Sequence, residues 1–111
     1  MIKFILMLFI LLSFATLAIA KEAQYTNDQI ADAIYKAENS KSHPYGILAH
    51  YKHTTPRQAC INTIKHARKD WNGQGSFIVF LGKRYCPVGA SNDPKGLNKN
   101  WVKNVKMFLA K

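Results

Sequence analysis

The chain has 111 residues, which leaves room for one small domain and none for a second. Sixteen Lys and Arg against six Asp and Glu give a formal net charge of +10, so natural partners are polyanions rather than basic molecules. Two cysteines allow one disulfide at most.

The first twenty residues, MIKFILMLFILLSFATLAIA, read as a signal peptide. Lys3 precedes an apolar run, which ends in the small-x-small pattern Ala18-Ile19-Ala20 that suits signal peptidase. A membrane anchor is the competing reading, because the run is nearly long enough to span a bilayer. Polar residues follow at once without a positive stop-transfer cluster, which favours cleavage. Residues 21–111 are then a single exported domain, periplasmic or secreted and monomeric, with no stable membrane anchor.

Thr26 opens the first ordered segment, with Gln29 three residues on as in a capping box. Ile30, Ala33, Ile34 and Ala37 follow at helical spacing, and the helix is expected to stop at about Glu38, before the turn-rich ENSKSHPYG. The second helix is expected to start after Thr55 as N-cap, with Pro56 at its first position. Cys60, Ile64, Ala67 and Trp71 line one face before Asn72-Gly73 ends it. The third segment, SFIVFLGKRYC, fits a strand through Phe77, Val79 and Leu81, or a helix through Phe77, Phe80, Leu81 and Tyr85. No second strand exists to pair with it, so helix is the reading. A fourth helix starts near Asn98 and carries Trp101, Val105 and Phe108 on one side. The fold class is therefore all-α, a compact bundle of about four short helices.

Export to an oxidising compartment makes a Cys60–Cys86 disulfide the expected use of the two cysteines, with two buried thiols as the other reading. The bridge would close about 27 residues and stabilise the domain by about 3 kcal/mol.

Carboxylates are scarce, and one of them, Glu38, falls where the apolar stripe runs into the loop. Its side chain should emerge at the border of the core beside Tyr35 or Tyr45. Partial burial and the negative end of the helix both raise a carboxyl pKa, as a general acid working near neutrality requires. An exposed helix-end Glu beside one of many lysines is the plainer alternative.

The stretches IYKAENSKSHPYGI, ACINTIKHARKDW, FIVFLGKRYCP and LNKNWVKNV, which cover nearly the whole mature chain, resemble small exported bacterial proteins of little assigned function. More loosely, a helix ending in Glu-Asn-Ser before a Tyr-Gly turn resembles the lysozyme-like fold of soluble lytic transglycosylases and goose-type lysozymes. That resemblance implies a lysozyme-like domain over 21–111, acting on peptidoglycan or another anionic cell-wall polymer. It implies that Glu38 protonates the glycosidic oxygen, that Ser40 or Asn39 supports its orientation, and that Tyr45 and Gly46 form the adjacent wall. Gly46-Ile47-Leu48 stands where those families carry Gly-Leu-Met-Gln. The next carboxylate after Glu38 is Asp70, so a single-acid mechanism is expected, with the substrate's own hydroxyl or N-acetyl group as nucleophile. The alternative is a non-catalytic binding module for glycan or an acidic partner on the same scaffold.

Asn62 and Tyr85, with Asn72 and Trp71, are residue types that suit sugar hydroxyls and ring faces. Trp71 and Trp101 also fit the apolar stripes, and core is their default reading. His43, His50, His53 and His66 show no His-Cys spacing that makes a zinc framework, so no metal or other cofactor is expected. Basic residues are spread along the chain without a nucleic-acid fold signature, and no nucleic-acid partner is expected. A membrane-disturbing helix is a third reading, but each apolar face is needed for the shared core.

Overall fold

Each helix begins where a side-chain oxygen is available to cap it, or where the apolar spacing resumes. A computed structural model describes residues 22, 24–48, 51–86, 96 and 98–111. The leader expected over 1–20 lies outside these residues, as do His50 and Asp93. Helix α1 spans Asn27–Glu38, α2 Pro56–Asp70, α3 Phe77–Tyr85 and α4 Lys99–Leu109. A short 3-10 turn, Pro44–Gly46, lies in the loop between α1 and α2. Among the described residues there is no strand, and no helix is long and apolar enough to cross a membrane.

The capping box at α1 is complete: Gln29 N–H donates to Thr26 Oγ1 at 3.0 Å, and Thr26 N–H donates to Gln29 Oε1 at 2.8 Å. Thr55 caps α2 and Ser76 caps α3, each accepting from the backbone N–H three residues on. Such caps contribute about 1 kcal/mol each, a useful share in a domain of this size.

The helices contact one another in a ring. α1 packs on α2, α2 on α3, α3 on α4, and α4 returns to α1. Ile30, Ala31, Ala33 and Ile34 meet Cys60, Ile64 and Ala67, Phe77, Ile78 and Leu81, and Trp101 and Val105 in one buried cluster. Each large apolar side chain there gives about 1.5–3 kcal/mol over its exposed state. Gly82 lets α3 approach α4 closely, since a Cβ at that position would lie 2.9 Å from Val102 Cγ2. The ambiguous third segment is helical because its apolar residues face α2 and α4 at once.

Surface groups fasten the ring. Glu22 accepts from the Phe77 N–H at 3.0 Å and from Ser76 Oγ at 3.1 Å, placing a carboxylate at the N-terminus of α3. Arg68 donates to Asn27 Oδ1 at 2.7 Å and to the Tyr25 carbonyl, and lies over the Phe77 ring.

The expected Cys60–Cys86 disulfide does not form; the sulfurs are not bonded to each other. Cys60 is buried in the core from α2, with the Tyr85 side chain of α3 near it. Cys86, one residue later, is the C-cap of α3, its N–H donating to the Gly82 carbonyl. A step of one residue on a helix is a rotation of about 100°, enough to take Cys86 off that line.

Candidate functional site

Glu38 is the last residue of α1, because Asn39 turns the chain into the left-handed region (φ 46°) and ends the helix. The carboxyl therefore leaves the helix at the edge of the core and is half-buried. Trp101, on α4, donates its indole Nε1–H to Glu38 Oε1 at 2.9 Å. Gly46 covers another side: a Cβ placed there would lie 2.9 Å from Glu38 Cδ and 3.0 and 3.1 Å from its two oxygens. Only a residue without a side chain leaves that space to the carboxyl.

The turn that delivers Gly46 is held from two directions. Tyr45 has φ 61°, a left-handed conformation that costs a non-glycine residue about 1–2 kcal/mol and needs outside support. Its hydroxyl lies 3.0 Å from Arg57 Nη1, which donates to it. Arg57 also pairs with Asp32 at 2.8 Å and Asp28 at 3.1 Å, so α1 and α2 both anchor the tyrosine. Its carbonyl accepts from the Tyr85 hydroxyl. Tyr85 in turn stacks on the Trp101 ring, with centroids 5.3 Å apart, and Tyr45 packs against Tyr35 at 5.1 Å.

The electrostatics follow from burial. Loss of solvent raises the Glu38 pKa above its ordinary value, and the Trp101 hydrogen bond pulls it back only in part. Burial likewise pushes the Cys60 thiol up to about 11 and raises the Tyr85 phenol. Both stay neutral at physiological pH. Among the described residues, Asp28, Asp32, Asp70 and Glu22 all have a cationic partner, and Glu38 has none. The rise in its pKa is therefore due to burial, with no nearby cation among the described residues to oppose it.

Of the residues singled out from sequence, Glu38, Tyr45, Gly46 and Tyr85 come together with Cys60 beneath them. Ser40 lies beside this cluster as a loop-former, accepting from the His43 N–H at 3.0 Å. Asn62 stands apart: it is exposed on the outer face of α2, and its Oδ1 accepts from Gln58 Nε2 at 2.9 Å. Two positions from Cys60 on a helix is a rotation of about 200°, which points Asn62 away from the core side. Among the described residues, no three His, Cys, Asp or Glu side chains are grouped as metal ligands.

Two participants were not expected at Glu38. Trp101 is a core residue, 6% exposed, and also the hydrogen-bond partner of Glu38. A buried indole must place its N–H somewhere, and the scarce carboxylates were the candidates. Arg57 could have been sought from Asp28 and Asp32, which share a helix face and call for a common cation. No family model, curated protein or solved structure matches this chain.

Proposed function

We propose that this is an exported, lysozyme-like protein that cleaves a glycosidic bond of peptidoglycan with Glu38 as its single catalytic acid, in the manner of a lytic transglycosylase or muramidase. The observation that carries the proposal is the Glu38 carboxyl itself: half-buried, with a raised pKa, oriented by Trp101, and left room by Gly46. A carboxyl so placed retains its proton closer to neutrality than an exposed one.

In the proposed reaction Glu38 gives its proton to the oxygen that leaves C1 of the sugar, and the C1–O bond breaks. The resulting carboxylate then takes a proton from the group that attacks C1. That group is a hydroxyl of the same sugar if an anhydro product forms, or water if the product is a reducing sugar. The other described carboxylates, Glu22, Asp28, Asp32 and Asp70, are each engaged by a cation, which favours the single-acid route. The apolar leader pattern and the basic charge support an exported protein drawn to an anionic wall polymer.

Mass spectrometry of purified peptidoglycan incubated with the protein tests the reading, with Glu38→Gln in parallel. Anhydro-muropeptides from the parent protein alone mean transglycosylation, and reducing muropeptides mean hydrolysis. Bound glycan without cleavage by either protein rejects the enzyme and leaves a binding module.

A further inference from the structure

A groove of about 490 Å³ follows the seam between α3 and α4, and neither Glu38 nor Trp101 lines it. Its size lies in the roughly 300–1,000 Å³ range of small-molecule sites. Val79, Gly82 and Val102 give it an apolar floor. Val79 is 38% exposed and Val102 is partly exposed, so this floor is open to solvent. Lys83 and Lys99 share the lining. Both are exposed and, among the described residues, lie in no ion pair. Asp70 and Glu22, the acids that pair with cations of α3 and α4, are taken by Arg84 and Lys106.

Charge and apolar surface are separated along the groove. Lys83 stands one turn beyond Val79 toward the C-terminus of α3, and Lys99 stands one turn before Val102 toward the N-terminus of α4. Cys86, the C-cap of α3, and Asn98, the N-cap of α4, line that same end. One end of the groove is therefore cationic and the other apolar. Val79 and Cys86 are seven positions apart, which is about 10 Å of helix. An extended alkyl chain advances about 1.3 Å per carbon, from single bonds of about 1.5 Å, so about eight carbons cover that length.

We propose that this groove binds a single-chain fatty carboxylate of medium length, about eight to ten carbons. Its head group sits at Lys83 and Lys99, and its chain lies along Val79 and Val102. An acidic helix of a partner protein fits less well: a helix is about 10–12 Å across, and one turn of it would fill the whole volume. A two-chain lipid would leave one chain in water. The groove uses no part of the Glu38 cluster, so binding here and cleavage of peptidoglycan are separate properties.

The test is a titration of isotope-labelled protein with hexanoate, octanoate, decanoate and dodecanoate, each below its micelle concentration. The amide shifts of Val79, Gly82, Lys83, Lys99 and Val102 report binding. A fully buried methylene strengthens binding about fourfold, and one in a groove open on one side about twofold. Affinity should rise by about that twofold step up to about ten carbons and then level off. Octanol should bind about fivefold more weakly than octanoate, the effect of two partly exposed charge pairs, and octylammonium more weakly still. Lys83→Gln combined with Lys99→Gln should bring octanoate to the level of octanol. Lys65→Gln with Lys69→Gln, which removes the same charge from the exposed side of α2, should keep the difference. Val79→Asn should weaken decanoate more than hexanoate, because only the longer chain reaches that end. All five positions are exposed, and thermal melts check that each variant is folded.

Affinity that does not change with chain length overturns the proposal, as does equal binding of octanol and octanoate. A preference that survives in the Lys83/Lys99 variant overturns it too, and so does an equal loss in the Lys65/Lys69 variant, which would mean attraction by overall charge. Vesicles of anionic phospholipid that move these amides where the free carboxylates do not would make the face a membrane contact and reject the fatty-acid site.

Discussion

Gly46→Ala tests the site most directly, because it asks one methyl group to occupy the space the Glu38 carboxyl fills. Two costs are combined in it. At φ +70° a residue with a Cβ is strained by about 1–2 kcal/mol, in part offset by the lower entropy of the unfolded chain. The new Cβ would also lie 2.9 Å from Glu38 Cδ, closer than real Cβ contacts come, and the carboxyl must move off Trp101. Overpacking of this kind adds about 1–3 kcal/mol. Gly73→Ala separates the two, since Gly73 has φ +80° with nothing within 4 Å of its would-be Cβ. Urea denaturation followed by tryptophan fluorescence should therefore place Gly46→Ala below Gly73→Ala by about 1–3 kcal/mol. Repeating Gly46→Ala in a Glu38→Ala background removes the clash, so the excess should vanish and appear as coupling energy between the two positions. If Gly46→Ala costs no more than Gly73→Ala, or the excess persists without Glu38, the carboxyl does not rest on Gly46 and the account of the site is wrong.

Glu38→Gln should be more stable than the parent at neutral pH. A carboxyl with a raised folded pKa stabilises fully below its unfolded pKa of about 4.3 and loses that contribution as pH rises through the folded value. The stability difference between the two proteins should therefore be small at acid pH and grow across that window; a pH-independent difference in urea titrations refutes it. Reducing agent should leave the melting temperature unchanged, against the loss of about 3 kcal/mol that breaking a bridge would bring. In the same samples a maleimide should label Cys60 only on unfolding, because its buried thiol titrates near 11. Arg57→Met should destabilise by about 1–2 kcal/mol, since it removes two partly exposed ion pairs and the Tyr45 hydroxyl bond. It should also lower turnover in the muropeptide assay, by freeing the turn that carries Gly46.

The helices were legible because each carries its own local signal. Thr26 with Gln29, Thr55 with Pro56, and the stripe from Ile30 to Ala37 require no knowledge of the rest of the chain. Glu38 was legible for the same reason, as an acid at the end of an apolar stripe. What could not be read was pairing across the ring. Trp101 and Glu38 are 63 positions apart, Arg57 reaches back to Asp28, and Tyr85 reaches the Tyr45 carbonyl across 40 positions. Each depends on the rotation of one helix against another, which spacing within a helix does not encode. The disulfide failed on that ground: two cysteines and an apolar leader pattern say nothing of the angle at which Cys86 leaves α3. Asn62 failed more simply, since its position relative to Cys60 already turned it outward.

The closure of the ring by α4 makes the site a product of the whole fold, since Trp101 reaches Glu38 from 63 positions away. Without α4, Glu38 has no indole beside it. The indole that partly offsets its raised proton affinity comes from the helix farthest from it in sequence. A partly folded or nicked chain that lacks this helix would hold every residue of the α1 loop and still lack the hydrogen bond to the carboxyl. The shifted acidity of this carboxyl, raised by burial and tempered by the indole, is thus a feature of the assembled domain.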